Sequence, residues 1–186
     1  MSPSGDHPGA LELAQEITQI TIERRRARRF GWSWLTAWIL FGLALEAAHG
    51  FKLSAYLDDG LRRSLLRLAH AHGVILALLV LIQGELGAPL LAAVSAAGSA
   101  PPTRAAPPPA EAARRVVRVG RLLRLGASLI PIGFALSAVR ASEGDPSLAI
   151  FLVPLGALAL LAAVGRTAWA AWRQHAEPRQ RPAEPT

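Results

Sequence analysis

Residues 64–85 read SLLRLAHAHGVILALLVLIQGE, and the fold turns on them. From Gly73 to Ile82 no residue carries a polar side chain, and the only charges in the stretch, Arg67 and Glu85, lie near its two ends. A surface helix of a soluble domain would place polar residues on one face at every turn. An apolar run of about 20 residues with charges only at its margins has instead the length that crosses the hydrocarbon core of a bilayer.

Three further stretches read the same way: about 32–50 (WSWLTAWILFGLALEAAHG), 116–139 (VVRVGRLLRLGASLIPIGFALSAV) and 148–172. The chain of 186 residues is 52% hydrophobic, with its Leu and Ala gathered into these runs. The expected fold is therefore all-α: a polytopic membrane protein of four transmembrane helices in one four-helix bundle, residues 32–172. The segment 1–31 precedes it and contains a short amphipathic helix, with Leu13, Ile17 and Ile20 on one stripe. A Pro/Ala-rich linker, 98–113, separates the second and third spans, and residues 173–186 read as a disordered tail. The basic stretch before the first span resembles the start of a signal peptide, but the three apolar runs behind it favour an uncleaved first helix.

The net charge is +7. Nucleic acid is not the implied partner, because the arginines flank apolar runs. They occur before the first span (Arg24, Arg25, Arg26, Arg28, Arg29), around the start of the third (Arg104, Arg114, Arg115, Arg118, Arg121, Arg124) and in the tail (Arg173, Arg179, Arg181). With four spans all three groups fall on one side, which the positive-inside rule makes cytoplasmic, giving N-in/C-in topology in an inner membrane. Trp32, Trp34 and Trp38 with Trp169 and Trp172 then form one aromatic belt on that side. Arg118, Arg121 and Arg124 form a basic stripe that snorkels to the headgroups. The partners implied are the lipid bilayer and either other membrane subunits or a second copy of the chain.

The candidate site lies at the other side. Glu46 and His49 end the first span, and His70 and His72 begin the second. Two imidazoles on neighbouring helices suit axial ligation of haem by His49 with His70 or His72. Glu46, His49 and His72 suit a transition metal, since an imidazole–carboxylate set holds zinc, copper or iron. A relay for protons or electrons within a larger complex is a third use of the same residues. With no cysteine, thiolate chemistry is excluded. Two residues apart on a helix is about 200°, so His70 and His72 cannot both face the first span. The more apolar side around Leu76 and Leu79 favours His72 as the one that does. The competing expectation is a structural or accessory subunit, not an enzyme on its own, whose polar cluster only holds helices together.

Overall fold

The computed structural model describes residues 8–97, 109–139 and 145–176. Every element among them is helical: α1 (Pro8–Gly50), α2 (Ser54–Leu57), α3 (Gly60–Ala97), α4 (Pro109–Val139) and α5 (Leu152–Ala176), with a 3-10 turn at Leu148–Phe151 leading into α5. Four segments are long and apolar enough to cross a membrane: Ala14–Gly50, Gly60–Leu86, Ala113–Val139 and Leu148–Trp169. Residues 1–7, 98–108 (most of the expected linker), 140–144 and 177–186 (most of the expected tail) lie outside the described residues.

The helices are longer than the apolar runs. The amphipathic helix expected before residue 31 and the first span are one continuous helix, α1. Gly31 does not break it, because a lone glycine costs a helix only about 1 kcal/mol, and here its missing Cβ lets Leu81 of α3 sit against the α1 backbone. α3 continues past Glu85 to Ala97, and α4 starts at Pro109, inside the stretch expected to be linker. Proline suits that first position, where its absent N–H would have no helical acceptor.

Helices α1, α3 and α4 pack on one another, and α5 packs on α4 and the 3-10 turn. The bundle is thus a triangle of three helices with the fourth carried on α4. Its core joins Ala27 of α1, Leu76 and Val80 of α3, Val119, Leu123, Ala127 and Ile130 of α4, and Ala163 of α5. The α4–α5 seam is close because both helices are small there: Gly126 lies under Gly156 and Leu160, and Gly133 under Leu152 and Val153. Outward from the core, Ile39, Leu40, Leu43, Ile75, Leu78, Ile82, Leu155, Leu158 and Leu161 are exposed large apolar side chains. Large apolar side chains thus face outward as well as inward, and the small residues are concentrated at the α4–α5 seam, as suits close helix packing in an apolar surrounding.

The turn from α1 to α3 defines one end of the bundle, here called the hairpin end. α1 stops in a Schellman arrangement, with Leu53 N–H bonded to Ala48 C=O and Lys52 N–H to His49 C=O, and Lys52 in the left-handed region at φ 53°. Asp59 opens α3 by accepting the Arg62 N–H on Oδ1 at 2.9 Å. Arg62 and Arg63 donate back to the carbonyls of Ala55 and Leu57. These two basic residues, which run against the charge asymmetry of the chain, are therefore engaged as caps of the short α2.

Candidate functional site

The packing of α1 against α3 fixes where the sequence-predicted site residues fall. Ala27 meets Gly84, Gly31 meets Leu81, Trp38 meets Gly73 and Gly42 meets His70. Continuing that antiparallel register puts Glu46 about one turn, and His49 about two turns, nearer the hairpin end than His70. The four groups, expected to form one site at the far side, are spread along the helices. The physical reason is the start of α3: Gly60 is its first residue, so His70 enters three turns down, whereas His49 stands at the very end of α1.

His70 turns to α1. Its Nδ1 lies 2.8 Å from the main-chain oxygen of Trp38, and its ring fills the space over Gly42. His72 turns the other way, its ring against Phe134 of α4 at 5.2 Å, with Nδ1 2.8 Å from the Leu68 carbonyl of its own helix. The exclusion derived from helical spacing holds, but the assignment favouring His72 is reversed. The more apolar side of α3, which carries His72, faces α4, the more buried neighbour, and α1 receives the side with His70 because Gly42 makes room for its ring. Since a carbonyl only accepts, each neutral ring carries its proton on Nδ1.

Glu46 and His49 are exposed on α1, and the His49 ring lies edge-on to Tyr56, with ring centroids 6.4 Å apart. His49 and His72 thus lie on different helices facing different neighbours. No group of three or more His, Cys, Asp or Glu side chains among the described residues could hold a metal ion. The metal set Glu46, His49 and His72 and the haem pairs of His49 with His70 or His72 are not brought together.

A polar site that the sequence did not suggest lies at the opposite, arginine end. Glu23 of α1 is 2% exposed and forms an ion pair with Arg124 of α4, whose two terminal nitrogens address both carboxylate oxygens. Gly120, one turn before Arg124, is where the carboxylate sits, and a Cβ there would collide with Glu23 Oε1. Beside it Arg24 and Arg28 bind Glu85 of α3 at 3.0 and 3.2 Å. Gln83 and Gly84 of α3 complete a crevice with Ile20, Glu23, Arg24, Ala27 and Val116. Three helices are tied by charge at this level, α1 to α4 through Glu23 and α1 to α3 through Glu85.

Arg124 does not snorkel with Arg118 and Arg121. A spacing of three advances about 300°, so successive arginines step about 60° around the helix. The second step carries Arg124 off the exposed face and onto α1. The tryptophans are also not one belt. Trp34 reaches Ala127, which is level with Gly156 and Leu160 of α5, whereas Trp169 lies nine residues beyond Leu160, about 14 Å along the axis.

Comparisons with protein families, curated proteins and solved structures found no match.

Proposed function

We propose that this chain is a multi-pass inner-membrane protein with both termini in the cytoplasm, and that it serves as a non-catalytic accessory subunit of a larger membrane assembly. The observation that carries this reading is the use of its interior polar groups. His70 is occupied by the Trp38 carbonyl and Glu23 by Arg124, each bridging two helices. Polar groups inside a membrane bundle serve either chemistry or helix association, and these are arranged for association. The exposed arginines at one end, Arg25, Arg26, Arg29, Arg114, Arg118 and Arg121, support that end as the cytoplasmic one. The geometry lends no support to a shared haem or metal site.

Extraction of the full chain from its native membrane in mild detergent, with native electrophoresis and an absorption spectrum, tests the proposal. The expected result is migration with a second membrane protein at a mass well above that of the single chain, and no Soret band. A monodisperse single chain carrying stoichiometric haem or metal would overturn it.

A further inference from the structure

We propose that the flank of the α4–α5 seam at the arginine end binds the headgroup of an anionic phospholipid. The inference rests on membrane insertion and is independent of the accessory role. Gly126, Ile130 and Gly133 mark the line along which α4 faces α5, and Gly156, Ala159 and Ala163 mark the line along which α5 faces α4. At about 100° per residue, Arg118 stands about 80° to one side of the first line and Arg166 about 50° to one side of the second. Both offsets run against the direction of increasing residue number. Antiparallel helices reverse that sense in space, so the two arginines fall on the same flank of the seam.

They are also level. The seam pairs residue 126 with 156–160 and residue 133 with 152–153. The same antiparallel register, continued toward the arginine end, sets Arg166 opposite residue 119 or so. Arg118 and Arg166 are exposed, and neither has a carboxylate within ion-pairing distance among the described residues. That separates them from Arg24, Arg28 and Arg124, whose charge is neutralised inside the bundle. Arg114 and Arg121, further round the exposed side of α4, extend the same positive surface.

The flank has the other half of a lipid's chemistry as well. Leu155 and Leu158 leave α5 apolar toward the hairpin end, where acyl chains would lie. Trp169 and Trp172, both exposed and with tilted rings 5.6 Å apart between centroids, stand just beyond Arg166, where indole rings meet headgroups. Two exposed guanidiniums on one flank of a helix seam, above an apolar surface and beside exposed tryptophans, match a phosphodiester that carries net negative charge. A zwitterionic headgroup brings its own ammonium into the same field and is disfavoured.

Native mass spectrometry of the detergent-purified full chain, titrated with phosphatidylglycerol or with phosphatidylcholine of the same acyl chains, tests this. Phosphatidylglycerol should be retained at least tenfold more tightly. Each arginine near the surface contributes about fivefold, so R118Q/R166Q should lower that affinity by about twenty-fivefold and leave phosphatidylcholine unchanged. R25Q/R26Q on α1, which does not touch α5, should retain wild-type selectivity. Should the double variant fail to fold, R166Q alone should show about a fivefold loss. Equal retention of the two lipids, an R118Q/R166Q or R166Q protein that folds and keeps full selectivity, or displacement of the lipid by equimolar inorganic phosphate would each overturn the proposal.

Discussion

The indole Nε1–H of Trp34 donates to the main-chain carbonyl of Ala127 at 2.9 Å, from α1 to α4. That carbonyl is the one that residue 131 would bond in an unbroken helix, and residue 131 is Pro131, which has no N–H. A buried carbonyl without a donor costs about 1–3 kcal/mol, and in a bilayer no water stands in. The proline creates the acceptor and the tryptophan on the neighbouring helix satisfies it. Trp34→Phe should therefore lower stability by about 1–3 kcal/mol, and by clearly less when Pro131→Ala has restored the helical donor. Thermal unfolding of the two single variants and the double variant in detergent closes the cycle; strict additivity would show that the bond contributes nothing specific.

The Glu23–Arg124 pair should behave as a coupled unit. Breaking a buried pair leaves one charge without compensation and costs about 3–5 kcal/mol. Replacing both partners removes that penalty, so E23L/R124M should be much closer to wild type than either E23L or R124M. Gly120→Ala should destabilise by about 1–3 kcal/mol, because its methyl group collides with the carboxylate, and the loss should shrink in the E23L background. Denaturant titrations of detergent-solubilised protein give the required values.

These two contacts also mark the boundary of what could be read from the sequence. The four apolar helices were legible because each is a property of one continuous run. The exclusion between His70 and His72 was legible because both lie on one helix, where the angle between them is fixed by spacing. Which of them faces α1 was not legible, since it depends on the rotation of α3 against its neighbours and on the gap at Gly42. Glu23, in a segment read only as a short amphipathic helix, gave no sign of being interior, and only the placement of α4 shows it. The Ala127 carbonyl could have been flagged from Pro131 alone, but its donor is 93 residues away in sequence. Side chains that join helices depend on register and rotation between elements, and neither leaves a periodic trace in either element.

At the hairpin end, Lys52 holds the left-handed position that closes α1 at φ 53°. An L-residue other than glycine is strained there by about 1–2 kcal/mol. Lys52→Gly should raise stability by about 1 kcal/mol, with part of the relief offset by the greater entropy of glycine in the unfolded chain. A lower melting temperature for the variant would mean that the lysine side chain contributes more than its backbone costs.

His70 and Gly42 give the sharpest separation between packing and chemistry. A methyl group at position 42 would fall inside the imidazole ring, so Gly42→Ala must displace His70 from the Trp38 carbonyl and should cost about 1–3 kcal/mol. His70→Ala loses the bridge but opens the space, so G42A/H70A should be no less stable than H70A alone. Glu46→Ala and His49→Ala, on the exposed side of α1, should change stability by less than about 0.5 kcal/mol. If His70 served mainly as a ligand or proton carrier, the G42A/H70A protein would lose whatever function the assembly assays report while keeping its fold. If it serves to seat α3 on α1, function should follow stability across all five variants. Plotting assembly yield against melting temperature for the set distinguishes the two: one line through every point supports packing, and His70 variants falling below a line defined by the rest would refute it.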